Sequence, residues 1–504
     1  MDFLLKNHLT QLNADTGSIT IVTAGRRYML MIGLLFAALV QPALAADKAG
    51  GLRIATFQTD ATPPVGYDMG YSVVKEIRER LLAKGVVITG AGKPFVMLAV
   101  DWSGVDGRAR DEWHALLAKA AGTTPDRVSV HTLHQHDAPG AAFFAYDERA
   151  RLGLPEAVPA GVPDKRLWAR SVMENSAAAL TRALRQAQPV THVGTGKANA
   201  ERLGANRRLM GTNGRVAFHR QSTYTNVYPA EVAAQIKVDA DVDGHRLSIF
   251  HPEEAKAAPE GLIDPAVRTI SFWNDNRPLA ALTYYASHPQ VWFGKGIPTS
   301  DFPGTARERL QKETGVFQVY FTGAGGNITL GKYNDGTPRA REEFAGRLQD
   351  AMARAWTATD RSALTPADVE WRTTDISLPA KYGAFKDEAR AVAADTARPG
   401  NERLAAISKY TQAQALEEGT TLVALRLGKA YSVHIPGEAF VQYQLGAQVI
   451  RPNDFVAVAA YAEGLGYIGH ERAYGEGGYE ITRSQTTLAA EKVIMDGVRK
   501  LLLQ

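Results

Sequence analysis

Apolar and polar positions along the chain follow two patterns: short, nearly continuous apolar runs and segments with apolar residues at helical spacing. Strand-length apolar runs lie at 94–105, 127–136, 277–292 and 316–327. Helical spacing is present at 72–85, 111–122 and 305–315. Strands that alternate with helices in this way are typical of an α/β protein, in which the loops at strand ends carry the chemistry.

The second half of the chain adds a helix pair and a hairpin. Residues 383–419 predict two helices separated by Pro399 and Gly400, and residues 421–438 predict a hairpin that turns at Gly428 and Lys429. The notable absence of an internal repeat or a low-complexity linker favours one unit over several modules. We therefore expect an α/β fold with a mixed β-sheet core, flanking helices and a single large catalytic domain.

Composition narrows the class of protein only slightly. The chain has 504 residues, of which 45% are hydrophobic and 22% charged, as is ordinary for a globular protein. A formal net charge of +4 is small for this length and gives no support to nucleic-acid binding. The chain contains no cysteine, which excludes disulfides, so nitrogen and oxygen atoms must bind any metal.

The N-terminal segment has the features of a secretory signal. Arg26 and Arg27 precede an apolar run from Met29 to Val40, and small residues lead to Ala45. The run is too short to span a bilayer well, and the alternative is a buried helix. We expect residues 1–45 to be a leader that is cleaved near Ala45, which predicts a secreted or periplasmic protein without stable membrane insertion.

Three histidines lie close together in the stretch VSVHTLHQHDAPG. If residues 127–136 form one strand, His134 and His136 share a face and His131 points to the other. Two histidines at alternate strand positions can bind one metal, or one can bind the metal while the other handles protons. A histidine-rich polar loop explains the cluster equally well.

Two further positions are candidates for the same chemistry. His288 ends an apolar strand, where a buried imidazole must have its nitrogens satisfied by a metal or by backbone hydrogen bonds. Glu438 precedes the helical pattern of 439–450, so we expect it at a helix N-terminus, where the dipole favours the ionised carboxylate. The glycine-rich segment 323–330 predicts either a tight turn or a close approach to a ligand.

In this order, the motifs resemble those of the neutral/alkaline ceramidase family, zinc-dependent amidohydrolases that cleave the amide of N-acylsphingosine. The resemblance extends over about residues 52–485. The matching segments, in chain order, are ATPPVG with GYDMGY, VSVHTLHQHDAPG, YASHPQVWF, TSDFPG, GGNITL, HIPGEAF and GYIGHERAYGEGGYE.

The resemblance implies a zinc site and a catalytic set. The implied zinc ligands are His134, His288, Glu438 and, as the fourth, Tyr467, with Tyr479 as the alternative. The implied catalytic residues are His136, which handles a proton or stabilises an oxyanion, Arg207, which polarises the substrate carbonyl, and Thr329. Thr329 stands where the family has a serine, and the aspartate and proline of that loop are replaced by Asn327 and Leu330.

These implications lead to one main hypothesis and two alternatives. The main hypothesis is an exported Zn²⁺ amidohydrolase, formed by residues 46–504 without the family's C-terminal β-sandwich, that hydrolyses ceramide or another N-acyl substrate. One alternative is a zinc esterase or amidase that acts on a small polar or sugar-linked substrate. The other is a metal-binding relative that has lost catalysis, although a purely structural zinc would not need the nearby His136.

Overall fold

The computed structural model describes residues 51–154, 161–224, 241–242, 245–246, 256–381 and 383–504. The leader expected at residues 1–45 lies outside these residues. Gly50–Gln504 forms one compact unit. None of the helices in the described ranges is long and apolar enough to cross a membrane.

The first of three main sheets is built from the N-terminal apolar runs. Its strands, in spatial order, are Val128–Thr132, Phe95–Val100, Leu82–Thr89, Arg53–Asp60 and Gln188–Pro189. The first two strands in this order are parallel and the others are antiparallel. Helices Gly107–Ala121 and Lys165–Leu184 cover one face, where Trp102, Trp113 and Trp168 form part of an apolar core.

The second and third sheets repeat this arrangement of one parallel pair within a mostly antiparallel sheet. The second contains Phe317–Thr322, Arg277–Tyr285, Ala266–Asn274, His192–Asn199 and Asp360–Ala363. The third contains Val369–Ile376, Thr420–Leu427, Ala430–His434 and Phe455–Ala459. The parallel pairs are 277–285 with 317–322, and 430–434 with 455–459. One central apolar core contains residues from all three sheets, so the sheets share this core.

Helices flank the sheets. In addition to the two already given, they are Phe143–Arg151, Asp301–Thr314, Pro338–Thr357, Lys386–Ala394, Gly400–Glu418, Val441–Ile450, Glu471–Glu476, Tyr479–Arg483 and Ala490–Leu503. The remaining strands of the described residues are Gly104–Val105, Gly140–Ala141, Ala205–Asn206, Arg208–Met210, Val216–His219, Asp241–Val242, His245–Arg246, Ile328–Thr329, Glu438–Ala439 and Tyr467–Ile468. The predicted α/β class with a mixed β-sheet core and flanking helices is confirmed.

One predicted helix does not form, and one predicted strand is shorter than expected. The helix expected at 72–85 does not form: Val73 and Ile77 are 47% and 42% exposed, and the strand Leu82–Thr89 begins within the segment. The β-branched run Val86–Ile88 pairs with the apolar strand Phe95–Val100, and this burial outweighs the helical spacing before it. The strand expected at 127–136 ends at Thr132, so strand alternation does not place His134 and His136.

The parallel strand pairs determine at which edge of each sheet the loops that follow these strands lie. Parallel strands of one sheet end at the same edge, and the segments that follow 128–132, 277–285 and 430–434 carry His134, His288 and Glu438. Hydrogen bonds join the three sheets at this edge. The Thr322 hydroxyl donates to the carbonyl of Leu133 at 2.9 Å, and the Ala460 amide donates to the carbonyl of Thr322 at 2.8 Å.

Candidate metal centre

His134 lies in the loop after the first sheet's strand Val128–Thr132. Its backbone adopts the left-handed conformation, with φ 67°, and its amide donates to the carbonyl of Trp102 at 2.9 Å. The ring nitrogen Nδ1 lies 2.7 Å from the carbonyl oxygen of Ser103. Because a carbonyl oxygen can only accept, Nδ1 carries the hydrogen, and in the neutral ring Nε2 carries a free electron pair.

His288 is fully buried after the second sheet's strand Arg277–Tyr285, and its ring is fixed in the same way. Its Nδ1 lies 2.7 Å from the carbonyl oxygen of Gly325 and 3.0 Å from that of Ile328. Burial, together with the neighbouring Arg207 and His134, lowers the pKa of His288 by more than Glu438 raises it, so the neutral ring with a free Nε2 is favoured. The glycine-rich segment thus supplies the backbone oxygens that orient this imidazole.

Glu438 comes from a short strand and not from a helix N-terminus as expected. Glu438–Ala439 pairs in parallel with Tyr467–Ile468, and helix Val441–Ile450 begins only after its cap residue Phe440. Burial alone would raise the pKa of Glu438, but the imidazoles of His134 and His288 hold it well below its ordinary value. The carboxylate is therefore ionised without help from a helix dipole.

The three side chains converge on one point. Glu438 Oε2 lies 3.0 Å from His288 Nε2 and 3.3 Å from His134 Nε2, and the three candidate ligand atoms all lie within 4.8 Å of one another. We call His134, His288 and Glu438 the ligand cluster. This convergence agrees with the predicted grouping of these three residues.

The chemistry of the ligand cluster fits a metal ion. Two imidazole electron pairs and a carboxylate face one another, so a positive charge is required between them. A proton can be shared by only two of the three groups, whereas a metal ion contacts all three. Tetrahedral zinc with bonds of about 2.1 Å holds its ligand atoms roughly 3.4 Å apart, which is close to the two measured separations.

Tyr467 and Arg207 lie next to the ligand cluster. The ring centroid of Tyr467 is 6.0 Å from that of His288, and the Tyr467 hydroxyl accepts a 2.7 Å hydrogen bond from Nη1 of Arg207. Tyr479 packs against Tyr467, with ring centroids 5.9 Å apart, and is 37% exposed. These contacts favour Tyr467 over Tyr479 as the tyrosine that belongs to the centre.

Glu480 and His219 were not among the predicted site residues, although Glu480 faces Arg207 and His219 is hydrogen-bonded to Glu480. The fully buried Glu480 accepts a 2.9 Å hydrogen bond from Nε2 of His219, and its carboxylate lies 3.4 Å from Arg208 and 3.7 Å from Arg207. The available sequence signal was its position directly after Tyr479 in the motif GGYE. Its partners, more than 250 residues away, gave none.

His136 lies beside the ligand cluster. Its ring centroid is 5.2 Å from that of His134, and its Nε2 contacts the side-chain amide nitrogen of Gln290 at 2.5 Å. An amide nitrogen donates, so the hydrogen of the neutral ring is on Nδ1, which is buried and has no partner among the described residues. Burial and the neighbouring imidazoles hold the pKa of His136 well below its ordinary value.

Thr329 is buried in the short strand Ile328–Thr329. Its hydroxyl donates to the carbonyl of Gln221 at 2.9 Å and accepts from the amide of Gly331 at 3.4 Å. These hydrogen bonds connect backbone segments. The catalytic role expected for Thr329 stays a prediction.

The fold and the ligand cluster together define a mixed α/β protein with a candidate metal centre of two histidines and one carboxylate. Solved structures to which the chain is similar include the neutral ceramidase from Pseudomonas aeruginosa, at 15% identity and TM-score 0.58, with 90% of this chain and 74% of that chain covered. Another is a ceramidase complexed with C2, at 14% identity and TM-score 0.59, with 90% and 75% covered. No protein-family profile and no curated protein matches the chain. The chain therefore shares the fold of these ceramidases.

Proposed function

We propose that the chain is a zinc-dependent amidohydrolase that cleaves an N-acyl amide of the ceramide type. The observation that carries the proposal is the ligand cluster, whose two imidazoles and carboxylate converge from three sheets with separations suited to zinc. The shared fold with ceramidases supports the same conclusion. His134, His288 and Glu438 would hold the ion, with Tyr467 as the proposed fourth ligand.

Arg207 and His136 each have a role in this reaction. Zinc would supply a Lewis acid that acidifies water and polarises the amide carbonyl. Arg207 is buried and always charged, and it stabilises the negative charge that develops on the carbonyl oxygen. His136 holds a proton at Nδ1 and donates a hydrogen bond from it to the reacting group. We keep Thr329 as a candidate catalytic residue whose contribution must be measured.

Exposed aromatic rings beside His136 favour a lipid over a small polar substrate. Tyr71 stacks on the His136 ring with centroids 5.5 Å apart, and Phe293 lies 5.7 Å from the same ring. Tyr71 is 58% exposed and Phe293 is 40% exposed. Large apolar side chains left in solvent next to a polar centre provide a contact surface for an apolar substrate group.

Metal analysis and substrate hydrolysis test the proposal. Purified protein should contain about one zinc ion per chain, and His288→Ala or Glu438→Gln should lose the metal together with amide hydrolysis. His192→Ala is the matched control, because this histidine lies in the second sheet and contacts Thr191 instead of the ligand cluster. Full hydrolysis by metal-free His288→Ala protein would refute the mechanism.

A substrate panel separates the proposed activity from the alternatives. Long-chain and short-chain ceramides, simple esters and N-acyl sugars should be compared at equal concentration, and we expect the highest kcat/KM with a ceramide. Higher activity on esters or N-acyl sugars would overturn the substrate assignment. We further propose that the protein is exported after cleavage near Ala45, which the N-terminal sequence of the protein recovered outside the cytoplasm would test.

A further inference from the structure

Tyr461 contacts the ligand cluster although no motif pointed to it. Its ring stacks on the His134 imidazole, with centroids 4.5 Å apart and an interplanar angle of 21°. It also meets the edge of the His288 ring, with centroids 6.1 Å apart. One buried aromatic ring thus limits the orientation of two histidines of the cluster.

The backbone of Tyr461 is held in an unfavourable conformation. Its φ of 62° lies in the left-handed region, which bulky residues rarely adopt. The Tyr461 amide donates to the carbonyl of Gly437 at 3.1 Å, and its carbonyl accepts from the amide of Thr132 at 3.2 Å. Strain that the surrounding structure maintains in this way is concentrated at functional sites.

A chain of buried hydrogen bonds ends at the residue before Tyr461. Neighbouring polar atoms in this chain are 2.7 to 2.9 Å apart. Its members, which we call the buried relay, are in order Tyr284, Ser432, His434, Ser129, His131 and the carbonyl of Ala460. His131 is the third histidine of the stretch VSVHTLHQHDAPG, and it belongs to the relay and not to the ligand cluster.

The relay permits one arrangement of hydrogens when its imidazoles are neutral. The carbonyl of Ala460 can only accept, so His131 donates from Nδ1, and its free Nε2 accepts from the hydroxyl of Ser129. Ser129 in turn accepts from Nδ1 of His434. Burial lowers the pKa of His131 to about 4, which keeps this ring neutral at neutral pH. A fully satisfied buried network of this kind rigidifies the segment that it holds.

We propose that Tyr461, held in place by the buried relay, is a positioning residue that fixes the His134 imidazole for metal binding. The inference rests on the proposed metal centre and extends it to residues that do not themselves bind metal. The stacked ring prevents rotation of the His134 imidazole about its side-chain bonds, and His131 holds the carbonyl next to the strained residue. Metal ligands depend strongly on such supporting contacts.

Zinc affinity, measured on the full chain by competition with a chromophoric chelator, tests the inference. Tyr461→Met keeps an apolar side chain without a flat ring, and we expect its affinity to fall about 10- to 100-fold. Tyr461→Phe keeps the ring, and we expect it to stay within about threefold of the parent. Tyr443→Met is the matched control, because Tyr443 is equally buried and its hydroxyl donates to the carbonyl of Gly469.

The outcomes separate this inference from the proposed function. A parent protein that binds no zinc refutes the metal centre itself, whereas parent affinity in Tyr461→Met refutes only the positioning role. If Tyr461→Met does not fold, Tyr461→Asn replaces it, because asparagine tolerates the left-handed conformation.

The relay has its own variant. Ser129→Ala interrupts it with little change in volume, and we expect at least about a threefold loss of zinc affinity. Unchanged affinity in Ser129→Ala would remove the relay from the inference. The visible spectrum of the cobalt-loaded protein provides a second measurement. We expect this spectrum to differ from that of the parent in Tyr461→Met and Ser129→Ala. A purely structural effect would leave the ligand geometry of folded molecules, and therefore the spectrum, unchanged.

Discussion

The Glu480→Gln substitution removes a buried negative charge that faces Arg207, Arg208 and His219. Removing one partner from a buried ion pair typically costs about 3–5 kcal/mol, because the remaining charge is left without compensation. Arg208 keeps a second carboxylate, that of Glu476, at 3.1 Å. We therefore expect a loss near the lower limit, about 3 kcal/mol in the free energy of unfolding at pH 7.

The difference in stability between the parent and Glu480→Gln should depend on pH. Burial alone would raise the pKa of Glu480, but His219 and the two arginines lower it below the ordinary value of 4.5. A carboxyl whose pKa is lower in the folded state stabilises the protein above the unfolded-state pKa and loses this contribution as the pH falls below it. The difference in stability between parent and Glu480→Gln should thus be complete at pH 7 and shrink below about pH 4.5.

Urea unfolding of both proteins, followed by tryptophan fluorescence at a series of pH values from 7 to 3.5, measures this difference. Glu480→Ala is an informative companion, because it also loses the hydrogen bond to His219 that glutamine can keep. Equal stability of parent and Glu480→Gln at pH 7 would refute the reasoning. So would a difference that stays constant across the whole pH range.

Four further changes have distinct expected outcomes. Gly326→Ala should lower zinc affinity at least about tenfold, because the new Cβ would overlap the carbonyl of Glu438. Gly346→Ala lies in open space on a helix, so it should instead raise the free energy of unfolding by about 0.5–1 kcal/mol. Thr329→Val should cost about 1 kcal/mol and leave kcat within about threefold, and a much larger fall in kcat would show that the hydroxyl is catalytic. Arg307→Lys should cost about 2 kcal/mol in urea unfolding, because lysine cannot reproduce its two hydrogen bonds to a buried carboxylate.

The local pattern of apolar and polar residues predicted helices and strands correctly where one face of the helix, or the whole strand, is buried. The strand Phe95–Val100 and the helix Gly107–Ala121 lie where their patterns indicated, with the helix ending at the expected Gly122. The helix predicted at 72–85 does not form, because the apolar residues of this segment do not all lie on one buried face. The structure instead ties the Val74 amide to the carbonyl of Tyr67 and buries Lys84 inside a strand, next to Glu308.

In the candidate site, too, some residues could be predicted from the sequence and others could not. The grouping of the ligand cluster was expected only from the family resemblance of three motifs, and the expected strand and helix geometry at His134 and Glu438 was wrong. Glu480 and Tyr461 were not predictable, since their importance depends on partners that are distant in sequence and on a backbone conformation that no local pattern encodes. Supporting residues are therefore harder to find than the ligands that they support.

The ligand cluster also explains why three sheets must meet at one edge. His134, His288 and Glu438 each follow a strand of a different sheet, and backbone carbonyls fix both imidazoles so that their free nitrogens face the carboxylate. Bringing these electron pairs together costs free energy that the packing of the sheets must supply. A bound cation would return that free energy, so metal binding should stabilise the junction of the sheets as well as prepare the centre for chemistry.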